Sequence, residues 1–95
     1  MRRRRPLRLG RVWATVEDRI VVEAERIPRL GAKVYSSSME HVGDALSILG
    51  PVSRPFIEVK QTRPRNLAKG EPLYIMEEDE YRPREPRGIS KRTPK

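Results

Sequence analysis

Apolar side chains recur at every second residue through long stretches of this sequence, a spacing that lines one face of an extended strand and not of a helix. In LGRVWATV, Val12, Ala14 and Val16 alternate with Arg11, Trp13 and Thr15; in RIVVEA, Ile20, Val22 and Ala24 alternate with Val21 and Glu23. These are two predicted strands joined at Glu17 and Asp18. Pro28 breaks the pattern. Ala32 to Tyr35 form a short predicted strand, Ser36 to Ser38 supply turn chemistry, and His41 to Leu49 continue with Val42, Leu46 and Ile48 on one face. The segment VGDALSIL also suits a two-turn helix, but Gly43, Gly50 and the β-branched content favour a strand. Phe56 to Lys60 alternate again, with Ile57 and Val59 inward and Phe56, Glu58 and Lys60 outward. PRNLAKG is a predicted helical turn whose Gly70 takes the left-handed conformation, and Leu73 to Met76 are the last strand. Six short strands without a long helix imply an all-β antiparallel sheet, and a sheet this small hides its edges best by closing into a barrel.

The chain has 95 residues and a formal charge of +8. That length allows one small domain, and the charge makes nucleic acid, an anionic membrane surface or an acidic protein the partners to consider. Arg2, Arg3, Arg4 and Arg5 carry half of the excess, so the body is only mildly basic and announces no groove of single-sign charge. The expected organisation is a basic arm over residues 1–6, a barrel over 7–76 and a charged, proline-bearing disordered tail over 77–95. There is no cysteine, which excludes disulfides, thiolate chemistry and cysteine-ligated zinc. No apolar run approaches the roughly 20 residues of a membrane helix, and MRRRR is followed by no apolar signal segment. A soluble cytoplasmic protein without a membrane partner is the expectation.

Chemistry of its own is not expected from this chain. His41 is the single histidine and sits in a Ser-rich turn, where a solvated role outweighs that of base or ligand. Glu17 and Asp18 are neighbours on a hairpin tip, open to water and expected to titrate ordinarily. Phosphate-loop, nucleophile-elbow and zinc-protease motifs are missing, and no cofactor, metal or small-molecule substrate is implied. What stands out instead is stiffness. RIPRLGAKV carries Pro28 and Gly31; GPVSRPF carries Gly50, Pro51 and Pro55, which hold Val52 out on a preformed corner. A loop fixed in advance loses little entropy on docking. Trp13, Tyr35 and Phe56 fall on outward parities, where aromatic rings stack bases or anchor proteins; basic residues do not interleave with them, which favours a protein.

PRLGAKVYSSSMEHVGDALSILGPVSRPFIEVK resembles the centre of the archaeal H/ACA ribonucleoprotein subunit of the Gar family. The family pattern is a PRLG-x-x-V strand, a hairpin into VG-x, then an apolar strand ending in GPV-x-x-P-aromatic and V-K. Its elements occur at Pro28 to Val34, at Val42 and Gly43, and at Gly50 to Lys60. The resemblance spans residues 7–76, omits both tails, and lacks RGG repeats. It implies a six-stranded Greek-key barrel of the reductase/isomerase/elongation-factor kind that is not an enzyme. Such a subunit binds the catalytic domain of a dyskerin-like pseudouridine synthase, away from the guide RNA, and influences a mobile loop so that substrate loads and product leaves. The implied docking residues are Pro28, Leu30, Gly31, Val34, Gly50, Pro51, Val52, Pro55 and Phe56. LGAKVYSSSMEHVGDALSIL is also similar to the hairpin of PRC-barrel and ribosome-maturation proteins, which lack the GPV-x-x-P continuation. Direct RNA binding through Arg2 to Arg5 and the C-terminal arginines is a third reading.

Overall fold

The computed structural model describes residues 5–51, 53–63 and 65–82. Six strands appear in chain order: β1 (Pro6–Val16), β2 (Arg19–Ala24), β3 (Lys33–Tyr35), β4 (His41–Leu49), β5 (Phe56–Gln61) and β6 (Pro72–Met76), followed by a 3-10 turn at Glu77–Asp79. All pairings are antiparallel, and the sheet closes on itself in the order β1-β2-β5-β4-β3-β6. β3, β4 and β5 follow one another as a meander while β2 lies beside β5, which is the Greek-key order. Closure leaves no long unpaired edge. Among the described residues no helix is long and apolar enough to cross a membrane.

The barrel interior is filled by the alternating residues. Leu9, Ile20, Val22, Val34, Ile57, Val59, Leu73 and Ile75 are fully buried, with Val12, Val42, Ala45 and Ala32 around them. Gly43 is placed by close approach: a Cβ there would collide with the Lys60 carbonyl oxygen and lie 2.7 Å from Val59 Cγ1, so β4 and β5 meet where no side chain fits. The Ser36–Ser38 turn forms as expected. Ser36 Oγ accepts from the Ser38 and Glu40 amides at 3.3 Å each, and Met39 turns the chain at φ 67°.

β-bulges account for most departures from the expected parities. One extra residue on one strand shifts every following side chain to the opposite face. In β4 the register with β5 slips between Ala45 and Ser47, so Ala45 is buried while Leu46 stands out, 41% exposed. Leu46 therefore leaves the expected inward set and Gly43 and Ala45 join Val42, while Ile48 pairs with the buried Ile57 but is itself 40% exposed. In β1 a slip between Val12 and Ala14 against β2 sets Trp13 outward, as expected, but Val16, expected inward, is 59% exposed beside the hairpin tip.

Two segments differ from expectation for other reasons. The helical turn expected in PRNLAKG does not form over the described residues 65–70. Gly70 nonetheless adopts φ +91°, in a turn where the Glu71 amide donates to the Ala68 carbonyl at 3.1 Å. The chain also remains folded beyond Met76, past the expected boundary of the tail. Glu80 bridges to Pro28, the Arg29 amide donates to Asp79 O at 2.8 Å, and the Tyr81 amide donates to Ile27 O at 2.8 Å. This clasp lies next to the weakest seam of the barrel, where β3 and β6 share the single pair Tyr35 and Tyr74.

Candidate functional site

The GPVSRPF corner connects β4 to β5. Gly50 has φ +82°, a left-handed conformation that a residue with a Cβ adopts only under strain. The Arg54 amide donates to the Pro51 carbonyl at 3.1 Å, and the Pro55 carbonyl accepts from the Ala24 amide at 3.0 Å. The corner is thus tied at its middle by its own turn and at its base to the end of β2. Beneath it Leu49 and Phe56 are direct cross-strand partners. Leu49 is 45% exposed and Phe56 half-buried.

Phe56 also meets Trp13 edge-on, ring centroids 5.4 Å apart at 77°, and the Lys69 ammonium lies over the Trp13 ring, 5.7 Å from its centre. The register brings the last residue of β4 and the first of β5 into one patch with the bulge residue of β1. Lys69 reaches it because Val12 exchanges hydrogen bonds with Gly70 and Glu71 at 2.7 and 2.9 Å. On the other side of β4, Gly31 (φ +88°) donates to Ala45 O at 2.8 Å, and the neighbouring Leu30 is 62% exposed. Trp13, Phe56 and Leu49 are thus linked across the outer wall, while Leu30 and Leu46 are further exposed apolar residues of the loop before β3 and of β4.

The expected docking residues separate into two groups. Leu30, Gly31, Gly50 and Pro51 are exposed and Phe56 is partly so, as a docking surface requires. Pro28, Val34 and Pro55 are buried, so their side chains present nothing to a partner; they hold the loops in place from within. Val52 lies outside the described residues, as do Arg2, Arg3 and Arg4; Arg5 is exposed.

No family model matches the chain. An uncharacterized protein of Methanothermobacter thermautotrophicus is 36% identical over 64 residues, which are 62% of this chain and 70% of that protein. The chain belongs to that protein's family. This relative brings no known activity with it.

Elsewhere several charged groups are paired off. Arg8 meets Glu25 at 3.0 Å, Arg11 meets Glu23 at 3.3 Å, Arg26 meets Glu80 at 3.5 Å and Arg65 meets Glu40 at 3.2 Å. On the outer wall Ser47 donates its hydroxyl to Glu58 at 2.7 Å and Arg19 donates to the same carboxylate at 2.9 Å. The Ser47 hydrogen bond first, and then the Arg19 guanidinium, hold the Glu58 carboxyl below its ordinary value of 4.5. His41 is not the solvated turn residue expected from sequence: it opens β4, with Nε2 2.9 Å from Asp44 Oδ1 and its ring 6.0 Å from that of Tyr35. Among the described residues no group of three or more His, Asp or Glu is arranged to hold a metal ion.

Sequence reasoning missed Leu46, Leu49 and the meeting of Trp13 with Lys69. ALSIL carried a usable signal: Ala45, Leu46, Ile48 and Leu49 are four apolar residues in five, more than one face of a strand can hold.

Proposed function

We propose that this chain is a non-catalytic accessory subunit of the RNA-guided pseudouridylation particle. It binds the catalytic domain of a dyskerin-like pseudouridine synthase and promotes substrate loading and product release during rRNA modification, a step of ribosome biogenesis. The observation that carries this reading is the GPVSRPF corner, set by Gly50 and fastened at Pro51 and Pro55, with exposed apolar residues on both sides of it. A preformed apolar corner loses little freedom on docking, so its contact energy is spent on the partner. An accessory subunit changes turnover only through a difference in contact free energy between two states of the enzyme, typically ~1–3 kcal/mol, and a rigid module supplies that without a reaction of its own. Carboxylate pairing of Arg8, Arg11, Arg26 and Arg65 supports a protein over RNA as the partner of the barrel body.

The test is capture of the chain by an archaeal dyskerin-like synthase, read by calorimetry, together with multiple-turnover pseudouridylation in the reconstituted particle. Leu30→Asp is expected to weaken capture and to leave the melting temperature nearly unchanged, because Leu30 is exposed. Val34→Asp is expected to unfold the barrel, because a carboxylate replaces a wholly buried side chain. Failure of the synthase to bind the wild-type chain, or turnover indifferent to its presence, refutes the reading. Tight, steeply salt-dependent RNA binding by the chain alone would establish the RNA-binding alternative in its place.

A further inference from the structure

We propose that the patch of Trp13, Leu49 and Phe56, topped by Lys69, receives an apolar side chain of the synthase that is flanked by a carboxylate, with that carboxylate taking the Lys69 ammonium. The inference rests on the docking reading above and identifies the chemistry that the partner must present. Trp13 and Phe56 are already fixed edge to face at 5.4 Å, so a side chain entering beside Leu49 meets ordered rings and little rotamer freedom is lost. The patch adjoins the GPVSRPF corner through Phe56, and a Cβ on Gly50 would stand 3.9 Å from Phe56 Cδ1.

Charge identifies the flank. Among the described residues Lys69 has no carboxylate within ion-pairing distance, as is true of Lys33 and Lys60, but it alone of these lysines is held over an aromatic ring. Lys69 rests instead on the Trp13 ring, 5.7 Å from its centre, a weak contact at an exposed site. An incoming carboxylate exchanges it for a charge-assisted hydrogen bond in a setting dried by the apolar contact. A nucleobase fits less well, because the ammonium covers a face of the indole on which a base would stack.

Trp13 is the one tryptophan of the chain, so fluorotryptophan labelling gives the full-length protein a single fluorine resonance. Adding unlabelled synthase is expected to shift or broaden that resonance. Lys69→Glu is expected to weaken binding about tenfold at low salt, Lys69→Arg to retain it, and neither to change the melting temperature. Normal binding by Lys69→Glu with an unmoved resonance overturns the inference and leaves the docking reading standing. No binding by the wild-type chain removes both. A resonance that moves on titration with single-stranded oligouridylate alone overturns it in favour of RNA.

Discussion

Glu58 concentrates the polar organisation of the barrel wall in one carboxylate. Ser47 and Arg19 both donate to it, from the strands on either side of β5, so three strands are tied by one side chain. Both donors favour the ionised form and lower its pKa from 4.5. A carboxyl depressed in the folded state stabilises the fold above its unfolded value, and that contribution disappears as pH falls through the folded one. The melting temperature of the wild-type chain is therefore expected to drop as the medium is acidified below 4.5, and Glu58→Gln to flatten that part of the curve. Melting by circular dichroism across an acid series checks this; identical acid limbs would show that the ties are spent in holding the side chain in place.

At the level of strands, alternation was legible wherever the pairing is regular. Ile20 and Val22 in β2 and Ile57 and Val59 in β5 point inward as their spacing requires. It failed in β4 and at the end of β1, because a bulge depends on the partner strand and leaves the local alternation unmarked. The GPVSRPF corner could be read from two prolines and a glycine. The approach of Lys69 to Trp13 could not, because it follows from the hydrogen bonds that bring the Gly70 turn beside Val12. Charge likewise hid the clasp: Glu77 to Glu80 are all acidic, yet the backbone of Asp79, Glu80 and Tyr81 pairs with Ile27 to Arg29. Truncation after Met76 is expected to cost about 2 kcal/mol in lost hydrogen bonds, which is about 10 °C on a domain of this size. Truncation after Arg82, which keeps the clasp, is the reference against which that loss is read. Equal curves for the two truncations would show that the clasp contributes nothing.

For the whole molecule, the order of strands around the barrel places the first and last side by side. Pro6 stands opposite Met76, and the Glu77 amide donates to the Arg5 carbonyl at 2.7 Å, so the two outermost strands meet at one rim. Tension applied through the chain ends pulls that ladder open crosswise, one hydrogen bond after another, instead of loading all of them in shear. Once the Ile27 to Arg29 attachment lets go, the load falls on the end of that ladder. In an optical trap the protein is expected to unravel at low force from its rim, a shear-like rupture at high force being the contrary result; a machine that threads proteins by a terminus would meet little resistance here.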